Sequence, residues 1–101
     1  MSTRQKSAAV RFLDSVGGPY NFGTMLASLR EGEGLSQAEM ADRLGVSRSH
    51  LCDIEKGRKH VSPSRAAEFA RLLGLSEKQF VRVALQELAD ESGIKVQVVF
   101  A

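Results

Sequence analysis

Arg48, Ser49, Cys52, Asp53 and Lys56 recur at intervals of three and four residues. On a helix that turns about 100° per residue they share one side, opposite Leu51 and Ile54. Arg48 can donate two hydrogen bonds through its guanidinium, Ser49 can donate or accept, and an ionised Asp53 can only accept. Such a set suits the recognition of polar edges. It does not assemble a nucleophile. Cys52, the single cysteine, has His50 two residues away, positions i and i+2 of a helix do not face each other, and His60 falls in a loop. Cysteines and histidines at ligand spacing are too few for a zinc site. The residues therefore predict neither an enzyme nor a metal or other cofactor.

The elements that must position these side chains are marked by their caps. Ser36 with Glu39 three residues on has the spacing of a capping box, and Met40, Ala41 and Leu44 follow on one helical face. Gly45 can enter a left-handed backbone conformation at no steric cost and stop that helix sharply. Val46 can fill the gap to the next helix, which Ser47 caps and which runs through Leu51 and Ile54 to Lys56-Gly57. The small Ala41 opposite the turn lets the two helices cross closely. Two short helices joined this way are a helix-turn-helix signature, and a helix of this bulk fits the major groove of DNA.

At this point the chain resembles the phage repressor and Cro family of helix-turn-helix proteins, also called XRE-like. The matching residues are Gln37, Ala41, Gly45, the Leu51/Ile54 pair and Glu55-Lys56-Gly57, within a likeness running from Phe22 to Leu75. The resemblance implies that Arg48, Ser49 and Asp53, with Cys52 between them, read base edges. Arg48 suits guanine, whereas Asp53 can accept from cytosine's amino group but is repelled by phosphates. It further implies a phosphate contact from Gln37 and a structural ion pair between Arg30 and Glu55, while Ser47, His50, Lys56, Arg58 and Lys59 are further candidates for phosphate contacts. The implied function is binding of a palindromic operator in double-stranded DNA by a homodimeric transcriptional regulator, a repressor. The alternative is an antitoxin-type module that neutralises a toxin partner and regulates its own operon.

The chain has 101 residues, the length of one small domain, and a net charge of only +2, which by itself does not identify a nucleic-acid binder. The distribution says more: residues 1–65 carry ten basic and seven acidic side chains, and four basic residues between Lys56 and Arg65 have no acidic company. No apolar run approaches the roughly 18 residues needed to cross a membrane, and the N-terminus lacks a secretory core, so the expected location is cytoplasmic. The organisation expected is a 1–20 extension, a 21–92 helix-turn-helix domain and a 93–101 strand. The fold expected is all-α, a five-helix repressor-like domain with an extra N-terminal helix and a short C-terminal β-strand. Within the extension, Ala8, Ala9, Phe12, Leu13 and Val16 suit a packed helix, with a basic arm as the alternative. Asn21 caps the first domain helix, carrying Phe22, Met25, Leu26 and Leu29. Ser62-Pro63 opens a later helix with Ala66, Ala67, Phe69, Ala70, Leu72 and Leu73 inside, and Ser76 opens a last one with Phe80, Val81, Ala84, Leu85 and Leu88. From residue 94, β-branched and polar residues alternate, placing Ile94, Val96, Val98 and Phe100 on one side. A lone strand leaves both edges unpaired, so its expected partner is the same strand of a second subunit.

Overall fold

A computed structural model of the chain describes residues 21–100, so the expected N-terminal helix lies outside the described residues. Five helices follow one another: α1 (Phe22–Gly32), α2 (Gln37–Leu44), α3 (Arg48–Glu55), α4 (Pro63–Leu73) and α5 (Glu77–Glu91). Their starts are set by side-chain caps, because the first N–H groups of a helix have no partner within it. Asn21 and Thr24 form a reciprocal box at α1, and Ser36 and Glu39 form one at α2. The hydroxyls of Ser47, Ser62 and Ser76 accept from the third residue of α3, α4 and α5. Gly45 ends α2 at φ 71°, where an L side chain would be strained.

The core lies where the apolar faces of all five helices meet. Leu26, Leu51, Ala66, Phe69 and Ala70 are fully buried there, with Met40, Leu44, Ile54 and Phe80 close to it. Phe22 stacks edge-on against Phe80 at 5.7 Å between ring centroids, so the start of α1 is sealed by α5. α4 and α5 pack most extensively on each other, and α2 and α3 form the next most intimate pair. Val61, in the loop after α3, also points into the core and anchors that loop.

Two inner faces differ from expectation. In α4, Leu72 is exposed, and in α5 Leu88 is exposed while Val83 is buried. The expected stripes were drawn too wide at their outer edges, because these helices are covered on one side only. The expected C-terminal strand is not formed: among the described residues there is no strand, and Ile94 and Val99 are 62% and 73% exposed. The described residues offer this segment no neighbouring strand. It is held instead by one side chain of α5. Gln86 Nε2 donates to the Val96 carbonyl at 2.9 Å, and Gln86 Oε1 accepts from the Val98 N–H at 2.8 Å.

Candidate nucleic-acid interface

α2 and α3 meet across the Gly45-Val46 turn, with Met40, Ala41 and Leu44 buried against Leu51 and Ile54. This packing turns the opposite side of α3 outward. Arg48 and Ser49 are exposed there, Cys52 and Asp53 are half-buried, and together with Arg58 they line a shallow hollow of about 180 Å³. The residues expected to read bases therefore do share one open surface.

Beneath that surface runs a chain of charge-assisted hydrogen bonds. Arg30 of α1 donates to Glu55 through Nε at 2.8 Å and Nη2 at 3.2 Å, and through Nη1 to the Leu35 carbonyl at 2.9 Å. Gln37 at the start of α2 donates to the same Glu55 carboxylate at 3.0 Å, while its own carbonyl oxygen meets Arg48 Nη1 in a long 3.5 Å contact. The Glu55 side chain is only 5% exposed, so its charge depends on these donors. The bond to Glu55 raises the Arg30 pKa further above its ordinary value, against the opposing effect of burial. Arg30 and Glu55 are thus the ion pair that the sequence led us to expect. Gln37 is part of the same brace, with its side chain directed at Glu55 and Arg48.

The loop after α3 folds back tightly. The Asp53 carbonyl accepts from the N–H groups of Arg58 and Lys59, and the Arg58 Nε donates to the Asp53 carboxylate at 2.9 Å. This bond raises the Arg58 pKa, and Arg58 also approaches the Cys52 sulfur at 3.8 Å. The guanidinium therefore lies over Asp53 and offsets a negative charge that would otherwise repel phosphates. Lys56 and Lys59 remain exposed on the same loop, and His50, whose N–H donates to the Ser47 hydroxyl, is half-buried.

Two features escaped the sequence. Gly23 lies where α1 crosses the end of α3, and a Cβ there would fall on the carbonyl oxygen of Ile54. A glycine inside an otherwise helical pattern was its only signal. The sequence leaves His60 in a loop with too few cysteines and histidines at ligand spacing, yet the fold brings it to Glu87 at 2.8 Å and Glu91 at 3.1 Å. Separations of this length leave no local pattern.

A family described as a helix-turn-helix domain matches residues 21–83. The chain is 36% identical over 59 residues to an uncharacterized HTH-type transcriptional regulator of Sinorhizobium fredii, covering 58% of this chain and 77% of that protein. It is 27% identical over 100 residues to an uncharacterized HTH-type transcriptional regulator of Mycobacterium tuberculosis, covering 98% and 71%. It is 32% identical over 71 residues to the ImmF control region 10 kDa protein of Bacillus phage phi105, covering 70% and 78%. No solved structure is a significant match.

Proposed function

The chain belongs to the XRE-like helix-turn-helix family of DNA-binding transcriptional regulators, and from that premise we propose that it binds a palindromic operator as a homodimer and represses transcription. In this reading α3 enters the major groove. Arg48, at its first turn, donates to guanine, and Ser49, Cys52 and Asp53 contact the neighbouring bases. Gln37, Ser47, His50, Lys56, Arg58 and Lys59 meet the flanking phosphates and fix the register. The observation that carries the proposal is the open outer face of α3, braced from below by the Arg48, Gln37, Glu55 and Arg30 chain. A reading helix must hold its side chains in place against the groove, and a partly buried ionic brace supplies that stiffness.

Dimerisation draws support from the exposed apolar residues of the tail, Ile94, Val96 and Phe100, which a second copy could cover by strand pairing. Selection from a random duplex pool, followed by mobility shifts, tests the whole reading. The expected result is an enriched two-fold symmetric sequence with half-sites about 34 Å apart, one helical turn. Equal affinity for selected and random duplexes would sink it. The same exposed tail also favours a second reading, in which it adds to a sheet of a toxin partner and the protein acts as an antitoxin. Co-purification of a stoichiometric partner from the native host, lost on removal of residues 94–101, would support that alternative.

A further inference from the structure

Away from the α3 surface, the loop residue His60 sits between two carboxylates one turn apart on α5. Its Nδ1 lies 2.8 Å from Glu87 Oε2 and its Nε2 lies 3.1 Å from Glu91 Oε2. Glu87 is itself fixed, because its other oxygen accepts from the Phe22 N–H at 3.0 Å. The three side chains border a cavity of about 390 Å³, whose wall also carries Gln86, Asp90 and Arg82. Three carboxylates against one guanidinium make that cavity a region of negative potential, favourable to a cation.

We propose that His60, Glu87 and Glu91 form a binding site for a divalent transition-metal ion of the zinc class. His60 Nε2 and the Glu91 carboxylate ligate the ion, and Glu87 holds the Nδ1–H and orients the ring. The 3.1 Å between Nε2 and Glu91 Oε2 is the separation of two ligands each about 2.0–2.1 Å from one ion at an angle of roughly 100°. One ligand pair is thus already spaced for a metal. A metal-bound imidazole ordinarily gives its second N–H to a carboxylate, which is the place Glu87 occupies. The adjoining cavity has room for the waters that complete the coordination shell. The ligands' combined imidazole and carboxylate character selects zinc and its neighbours over magnesium, which prefers oxygen alone. An ion here would tie the loop that carries Lys56, Arg58 and Lys59 to α5.

The test is calorimetric titration of the full 101-residue chain with Zn²⁺, with Mg²⁺ as comparison, together with thermal melts. One zinc ion per chain is expected, with a rise in Tm that a chelator reverses and little response to magnesium. His60→Ala and Glu91→Gln should abolish both responses. These residues are about half exposed, so their loss leaves the core in place. Glu87→Gln should weaken binding by about 10- to 100-fold, the usual loss for an outer partner of a ligating histidine. Cys52→Ser and His50→Gln, which remove the thiol and the imidazole of α3, should bind zinc as the parent does. Absence of binding in the parent chain would overturn the site. So would wild-type affinity in both His60→Ala and Glu91→Gln, or loss of binding in Cys52→Ser.

Discussion

The tail after α5 is richer in apolar residues than the α2–α3 unit, yet the two hold them in opposite ways. In α2 and α3 the apolar side chains are buried, both helix starts are capped, and the one deeply placed carboxylate, Glu55, has Arg30 and Gln37 as donors. In residues 94–100 the apolar side chains are mostly in solvent and, among the described residues, Gln86 supplies the only side-chain bonds to the backbone of residues 96 and 98. The difference teaches that the helix-turn-helix unit buries its apolar face within one chain, whereas the described tail leaves most of its own exposed. The first should resist perturbation as part of a cooperative core. The second should be removable at little cost to the fold.

The largest expected effect comes from breaking the brace. Glu55→Ala strips Arg30 and Gln37 of their shared acceptor, leaving the partly buried guanidinium with the Leu35 carbonyl and a looser 3.8 Å approach to the exposed Glu31 carboxylate. It should lower stability by about 3 kcal/mol, the lower end for breaking a buried pair. Chemical denaturation measures it, and a loss below about 1 kcal/mol would mean that the pair is not what unites α1 with the motif. Gly23→Ala comes next, since its methyl group meets the Ile54 carbonyl and forces α1 away from α3. A loss of about 1–3 kcal/mol is expected in the same assay. Arg48→Ala should leave stability almost untouched but reduce specific DNA affinity by about 1–3 kcal/mol and relax base preference at one position. Equal losses on specific and random duplexes would assign Arg48 to phosphate alone. Removal of residues 94–101 sharpens the comparison from the other side: at concentrations too low for dimers, denaturation of the chain should change by under about 0.5 kcal/mol, as for surface changes generally, while at higher concentration sedimentation shows the truncated chain as a monomer. A truncated chain that stays dimeric would move the dimer contact onto the helices.

The smallest effect is acid-dependent. The Ser36 N–H and hydroxyl hold the Glu39 carboxyl below its ordinary range. A depressed carboxylate contributes stability above its unfolded pKa, near 4.3, and loses that contribution as pH falls through the lower folded value. Glu39→Gln should therefore flatten the acid limb of the stability profile below about pH 4.3 without shifting its neutral plateau. An unchanged limb would assign the acid sensitivity to other carboxylates.

Much of the fold was legible because its signals are local. Caps at Asn21, Ser36, Ser47, Ser62 and Ser76, the stop at Gly45 and the buried stripe through Met40, Leu44, Leu51 and Ile54 all lie within a few residues of the turns they create. What escaped depends on distance or on backbone approach. Nothing near His60 announces Glu87 or Glu91, and Val83 joins Phe80 and Ala84 in being buried where α5 packs on α1 and α4. At the surface, the sequence groups Arg58 with Lys56 and Lys59 as candidate phosphate contacts and gives no sign of a partner for Arg58. The turn at Gly57 instead brings Arg58 onto Asp53, so the loop presents two free lysines and one ion pair.

The Gln86 side chain has a consequence for how fast a tail could meet its match. By donating to residue 96 and accepting from residue 98, its amide reproduces the bonds that a single residue of a parallel strand would make. Fixing one residue's backbone costs about 1–2 kcal/mol in lost freedom. A tail already held at these positions starts with part of that loss behind it, so an incoming strand has less ordering to do on encounter. The clamp also occupies one side of the backbone. Any partner must then arrive along the other, which narrows the orientations that lead to a productive complex.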